Sequence, residues 1–323
     1  MDARILNVSS KSEEDMTVEE LAAEERRLNA ISGSSNRATM QNIGKDKSFS
    51  TDLDYMEENS SNSAKYIKKG DIDLKNIAIS QVKKMEKILD NCPLCMENGK
   101  SANTPIIAIG TKVYLTIPPQ PELAKYSATI VPITHHNNTS MCEEDEWDEI
   151  RNFMSCLAKM YHSLGKGVIF YENAVSPHKN GHAVIEAVPI PSDLSNSAPA
   201  FFKDAILTSD EEWSQHLKII DTGKRAREGA GRYAFKTSIA QEAPYFHVWF
   251  TLDGGYGHIV EDSNKWPRGD LFAREVIGGM MRLEPHIIKK QGRWRCNIDD
   301  PQVMEFEQKW ENFDWTIEKN KQL

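Results

Sequence analysis

Two cysteines, Cys92 and Cys95, stand three residues apart directly after a helical pattern, and thiols at that spacing restrict what the chain around them can become. Such a pair is a zinc half-site, a redox couple, or two small buried fillers. The redox version needs a thiol at a helix N-terminus, where the dipole lowers its pKa. Here Leu74, Ala78, Val82, Met85 and Leu89 recur at helical spacing from an Asp-rich start, so Cys92 falls at a helix end, just after Asp90. Dipole and charge both oppose a thiolate there unless a metal stabilises it. The complement is two histidines brought back by a sheet. His135 or His136 ends a predicted third strand, and His182 opens a fifth, with His178 competing through its H-x3-H spacing. The expected ligand set is Cys92, Cys95, His135 and His182, and the expected ion is Zn2+.

The strands that would carry those histidines are legible as β-type runs. Ile106–Ile109 and Val113–Ile117 flank Gly110-Thr111, and Ala128–Ile133 follows a Pro-rich loop. From Glu143 to Leu164, Trp147, Ile150, Met154, Leu157, Tyr161 and Leu164 form one helical stripe, acidic residues crowd the first turn and Gly165 stands at the stop. Val168–Glu172 and Ala183–Ile190 add two strands. The order β-β-β-α-β-β is an α+β unit with a mostly antiparallel sheet, placed at residues 71–192.

A second α+β unit is expected over 193–323. Phe201, Phe202, Ala205 and Ile206, then Ser209 to Trp213, read as a broken helical pair, the latter with a capping-box start. Tyr245–Leu252 and Tyr256–Glu261 form a hairpin through Asp253-Gly254-Gly255. Leu271–Leu283 and Met304–Trp310 read as helices, and Phe313-Asp314-Trp315 as a docked end. With Leu252 opposite Gly255, Trp249 faces His258 and shares a sheet face with His247, a surface suited to stacking on an RNA base. Residues 1–70 are rich in Ser, Asn, Asp, Glu and Lys, with a single helical island from Thr17 to Leu28. This arm is expected to stay disordered or to order along partners.

With 323 residues and a formal charge of -9, the chain has length for about two domains and an extension, and its surface as a whole is unsuited to embracing nucleic acid. Basic charge is local. Lys224, Arg225, Arg227, Arg232 and Lys236 share one loop, while Lys289, Lys290, Arg293 and Arg295 flank Trp294, and each set is a candidate RNA contact. Five cysteines do not form the even framework of a secreted protein, so a reducing compartment is expected. The sequence has no run of about 18 apolar residues to span a membrane, and its polar, acidic start is no signal peptide. A soluble protein of cytosol or nucleus is expected.

The motifs occur together in a familiar order. Cys-Pro-Leu-Cys, Val113-Tyr114-Leu115, Val131 to His135, the Trp147 helix and Gly181 to Pro191 resemble the first conserved half of the CwfJ family. Its second half is matched by Tyr245 to Phe250, Gly255 to Glu261, Phe272 to Val276 and Phe313 to Thr316. The resemblance spans roughly residues 90–316, and the Asp15 to Glu20 segment resembles the arm preceding the core in larger, zinc-bearing members. It makes the chain look like the C-terminal part of a longer protein, or a short form. It implies a histidine-triad (HIT)-like domain followed by a CwfJ C-terminal domain. The implied role is nuclear: a pre-mRNA splicing factor of the late or intron-lariat spliceosome, touching core spliceosomal proteins, snRNA and intron lariat RNA, with relatives linked to the lariat-debranching enzyme.

HIT enzymes place histidines at alternate positions of their last strand, one of them the nucleophile. The matching positions here are His182, Val184 and Glu186. By similarity to the zinc-bearing uridylyltransferase branch, His182 is a metal ligand and valine fills the nucleophile slot. The resemblance therefore implies a non-catalytic, degenerate HIT fold. The alternative is a phosphodiesterase or nucleotide hydrolase acting through His247, His258 or Glu186.

Overall fold

The computed structural model describes residues 74–96, 100–176, 181–209, 215–263, 265–297 and 300–317. The arm over 1–70, His178 and the acidic start at 210–213 lie outside the described residues. Ala78–Leu323 forms one compact unit.

Eight strands share one sheet among the described residues, and every pairing is antiparallel. They are β1 (Ile106–Ile109), β2 (Val113–Thr116), β3 (Ala128–Pro132), β4 (Lys166–Ala174), β5 (Ile185–Pro191), β6 (Ile220–Asp221), β7 (Tyr245–Thr251) and β8 (Gly254–Ile259). The spatial order is β1-β2-β3-β5-β4-β7-β8-β6. The two halves expected on either side of residue 193 therefore do not merely pack together. Strand β4 of the first half pairs with β7 of the second, Phe170 opposite Trp249 and Ala174 opposite Tyr245. Backbone hydrogen bonds across that seam make one continuous sheet from two sequence segments.

The helices among the described residues include α1 (Leu74–Asn91), α2 (Glu144–Ser163), α3 (Ala198–Ser209), α4 (Leu271–Met280), α5 (Pro285–Lys289) and α6 (Pro301–Trp310). A reciprocal capping box between Glu143 and Glu146 starts α2, and Gly165, at φ +68°, takes the left-handed position after its end. One sheet face is covered by α2 and α6, whose Trp147, Ile150, Phe153, Leu157, Phe306 and Trp310 meet Leu115, Ile130, Phe170 and Ile185. On the opposite face α3 and α4 cover β4, β5 and β7 through Phe202, Ile206, Phe272 and Ile277. The Cys92–Cys95 knuckle covers β2 and β3 on that face through Leu94, Tyr114 and Val131. Both ends of α2 and most strand spans agree with the periodicity, because a stripe buried on one side leaves its period in the sequence.

The hairpin register differs from expectation. Thr251 pairs with Gly254, Trp249 with Gly255, His247 with Gly257 and Phe246 with His258. His258 is thus displaced by an odd number of residues from its expected partner, which moves it to the other face. The two glycines belong to the strand, not to the turn. A Cβ on Gly254 would approach Gly223 N and Thr222 C at 2.6 Å, and one on Gly255 would collide with the Val248 carbonyl oxygen. Close approach of neighbouring backbone, not turn conformation, requires glycine here.

Candidate metal centre and basic strap

The knuckle is built where α1 stops. Cys92 N donates to Leu89 O at 3.2 Å, and Lys100 Nζ donates to the carbonyls of Leu89, Asp90 and Cys92 at 3.3, 2.7 and 2.6 Å, a cation satisfying the open end of the helix. Tyr114, from β2, donates its hydroxyl to Leu94 O at 2.7 Å and fixes the loop to the sheet. His135 follows β3, and His182 lies just before β5, which begins at Ile185 and not at Ala183.

These placements bring four donors together. The ligand atoms of Cys92, Cys95, His135 and His182 lie within 4.8 Å of one another. Cys95 Sγ is 3.0 Å from His135 Nδ1 and 3.5 Å from His182 Nδ1, and Cys92 Sγ is also 3.5 Å from His182 Nδ1. A tetrahedral ion with ordinary zinc–sulfur and zinc–nitrogen bonds sets ligand separations of about 3.3–3.8 Å. The three sulfur–nitrogen separations of 3.0–3.5 Å are close to that shell.

The tautomer also fits. His182 Nε2 lies 2.8 Å from Pro132 O, a carbonyl that only accepts, so Nε2 carries the hydrogen and Nδ1 offers its lone pair to the cluster. Burial opposes ionisation of the Cys92 thiol, but hydrogen bonds from His135 and His182 and the Leu94 backbone overcome it and hold its pKa well below the usual thiol range. Cys92 and Cys95 are both buried.

His136 is committed elsewhere. Its Nε2 lies 2.9 Å from Glu146 Oε2, and its carbonyl accepts Ala183 N at 2.7 Å. Neighbouring residues of an extended segment face opposite ways, so only one of the pair can reach the knuckle.

The stacking surface expected from His247, Trp249 and His258 is corrected. His247 and Trp249 have no solvent exposure, and the His247 ring lies 4.1 Å from the Trp249 ring and 4.8 Å from the Phe235 ring. Burial lowers the His247 pKa to about 3. Its Nε2 lies 2.9 Å from Thr222 Oγ1. His258, on the other face, is buried and stacks on Trp266 at 5.3 Å. None of the three rings is available to RNA, because the sheet that aligns them is covered on both faces.

The two basic clusters also separate. Arg232 bonds Asp148 at 2.9 Å and Glu144 at 3.0 Å, Arg225 donates to Ser238 Oγ at 3.0 Å, and Lys236 donates to Cys142 O. Lys224 lies 3.8 Å from Glu228. Four of the five expected cations in this loop thus hold the loop itself and the acidic start of α2. Only Arg227 is without an ion-pair or hydrogen-bond partner among the described residues. By contrast, Lys289, Lys290, Arg293 and Arg295 are exposed and have no such partner among the described residues.

The 290–297 segment, a strap without regular structure, borders three adjoining spaces. One, of about 510 Å³, is walled by Pro118, Pro119 and Gln120 and by Lys290, Arg293, Trp294 and Arg295. Another, of about 410 Å³, lies over Cys92, Pro93, His182 and Val184. The third, of about 270 Å³, lies over Val184, Glu186 and Val188 beside Asp270 and Arg274. Trp294 lines all three.

Arg274 could not be placed from sequence. It donates to the carbonyls of Ile287, Ile288 and Pro121 at 2.6, 2.9 and 3.0 Å, tying α4 to the first half of the chain.

Glu186 is half-buried in the third space. Burial, then the nearby Asp270 carboxylate, push its pKa up to about 8, against a hydrogen bond of 2.9 Å from Thr129. The unfolded chain releases this proton near pH 4.5, while the folded chain keeps it, so stability falls as pH rises from about 4.5 to 8. Glu186→Gln is expected to remove that loss and gain roughly 1–2 kcal/mol on the native protein at pH 8, with little change at pH 4.5. Urea melts of both proteins at the two pH values check this.

Residues 79–203 match a family model described as protein similar to CwfJ C-terminal, and residues 212–316 match a second, protein similar to CwfJ C-terminus 2. The chain belongs to the CwfJ family. It is 44% identical over 305 residues to the pre-mRNA-splicing factor cwf19 of Schizosaccharomyces pombe, an alignment covering 94% of this chain and 47% of that protein. It is 35% identical to the human CWF19-like protein 2 over 243 residues, 75% of this chain and 26% of the relative. The chain thus spans about half the length of the first relative and a quarter of the second. Both CwfJ segments contribute strands to the single sheet, and the Cys/His cluster lies wholly within the first.

Proposed function

We propose that this chain is the RNA-contacting part of a non-catalytic, nuclear pre-mRNA splicing factor. The names of its relatives support the splicing role, and the resemblance to the CwfJ family supports placement in the late or intron-lariat spliceosome, against core splicing proteins, snRNA and lariat RNA. A docking role toward the lariat-debranching enzyme belongs to the same reading. In it the first half is a degenerate HIT-like domain, with Cys92, Cys95, His135 and His182 holding Zn2+. Two thiolates and two imidazoles in a tetrahedron suit zinc, and four protein ligands leave no open position, so the ion supplies structure.

One observation carries the RNA reading: Lys290, Arg293 and Arg295 line a groove bordered by Trp294, and together with the exposed Lys289 they have no ion-pair partner among the described residues. Unpaired cations next to an aromatic are what a single-stranded phosphate chain needs, whereas in the 224–236 loop every candidate cation but Arg227 is paired within the protein. Val184 supports the non-catalytic reading, since valine has no lone pair to attack with and no proton to move. Catalysis shared by His247 and His258 is disfavoured by their burial on opposite sheet faces.

Fluorescence anisotropy with single-stranded RNA tests the reading on the full chain. Replacing Lys289, Lys290, Arg293 and Arg295 with alanine is expected to weaken binding roughly 10- to 100-fold and to reduce the salt slope by about 3, as loss of four phosphate contacts requires. Replacing Lys224, Arg225 and Arg227 is expected to change affinity less than about 3-fold. Equal binding by wild type and the fourfold variant would remove the strap from the RNA surface.

A further inference from the structure

The knuckle and the strap lie about two hundred residues apart in sequence, yet Asn103 connects them. Its backbone N–H donates to Pro93 O at 2.6 Å, between the two cysteines. Its side chain then holds the strap at two points. Nδ2 donates to Trp294 O at 3.3 Å, and Oδ1 accepts Cys296 N at 3.2 Å. The amide therefore brackets Arg295 as a neighbouring strand would, with one donor and one acceptor. The Trp294 side chain packs on the knuckle cluster that includes Cys92, Leu94 and Cys95.

The strap needs such a clamp. It carries like charges at Lys290, Arg293 and Arg295, has no ladder of its own among the described residues, and is tied a few residues earlier by Gln291, whose Nε2 donates to Arg268 O at 2.7 Å. Mutual repulsion among cations favours a splayed strap, and a splayed strap offers phosphates no fixed geometry. The anchor of the clamp is the Pro93 carbonyl, and ligation of Cys92 and Cys95 to one ion would fix the backbone on both sides of it.

We infer that Asn103 is a positioning residue that couples the Cys/His cluster to the basic strap, so that filling the cluster with metal sets the strap's grip on single-stranded RNA. The inference rests on the reading of 289–295 as the RNA contact and adds a mode of regulation to it. No chemical step is involved; the metal acts by ordering Pro93, Asn103 and the Trp294–Cys296 backbone in turn.

The test compares the wild-type chain, Asn103→Ala and Asn103→Asp, each loaded with zinc. Metal content is expected to stay at about one ion per chain, because Asn103 is not a ligand. RNA affinity of Asn103→Ala is expected to fall about 5- to 10-fold, the range for losing two exposed hydrogen bonds, with faster amide hydrogen exchange at Cys296. Asn103→Asp keeps the acceptor for Cys296 N and is expected to recover protection at that amide, which a general loss of stability would not show. Chelation of the wild type is expected to raise exchange at Cys296 in the same way. If the loaded Asn103→Ala protein matches wild type in RNA affinity and in Cys296 exchange, the coupling is overturned. If wild type binds no RNA, the RNA reading falls by itself. The exchange response to Asn103→Ala and to chelation then still decides whether cluster and strap are coupled.

Discussion

Replacing Cys95 with serine is expected to abolish metal binding and to lower the melting temperature by roughly 8–16 °C, the shift that a loss on the order of 4 kcal/mol produces in a body of this size. Cys95 is the informative ligand because its sulfur lies within 3.5 Å of both histidines. Serine keeps the size and removes the thiolate, so any large effect comes from lost ligation, not from a cavity. Without a metal, the cluster is only a set of thiol–imidazole hydrogen bonds, and the same substitution would cost about 1 kcal/mol. The two cases differ severalfold. Elemental analysis of the purified chain and thermal melts with and without a strong chelator separate them: the wild type should drop to the variant's melting temperature on chelation, and the variant should not respond.

Gly255→Ala is the second substitution with a large expected effect. The new Cβ would run into the Val248 carbonyl oxygen and come to 3.0 Å from Trp249 Cα, both backbone atoms of the facing strand. No rotamer relieves such a contact, so β7 and β8 must separate. That separation also disturbs Thr222, whose hydroxyl donates to Gly255 O at 3.1 Å and accepts Gly255 N at 2.9 Å. A hydroxyl has one proton, so His247 Nε2 must donate to the same oxygen, which fixes the imidazole tautomer. A loss of roughly 3–5 kcal/mol is expected from the backbone clash and the broken polar clip together. Gly165→Ala is the control: its φ of +68° strains an alanine by about 1 kcal/mol, but no atom lies within 4 Å of the new Cβ. Urea unfolding of the two variants should differ by at least about 2 kcal/mol.

How much was legible beforehand differs by residue. The α2 stripe, β1 to β3 and the Cys-Pro-Leu-Cys knuckle were plain, because each is set by neighbours in sequence through helical period, alternation or ligand spacing. The hairpin register was not. Asp253-Gly254-Gly255 looks like a turn because glycine suits turns, but Gly254 and Gly255 are needed where the Thr222 turn and the Val248 backbone come close. That requirement involves residues about thirty positions away for Thr222, and no local pattern carries it. The loop from Lys224 to Lys236 misled in a similar way. Its arginines look free in sequence, yet Arg232 answers Asp148 and Glu144, more than eighty residues earlier.

The sequence by itself determined the donor types of the Cys/His cluster, the α+β class and the long capped helix. Only the tertiary structure decided that both halves share one sheet, that His135 and not His136 faces the knuckle, that His247 and His258 lie on opposite faces, and that, among the described residues, the 289–295 cations are unpaired while most of those in the 224–236 loop are paired. The division has a physical cause. Period, capping and ligand chemistry are properties of residues close along the chain. Facing direction, register and charge pairing depend on which distant segments meet, and one residue of slip reverses a face without changing any local preference.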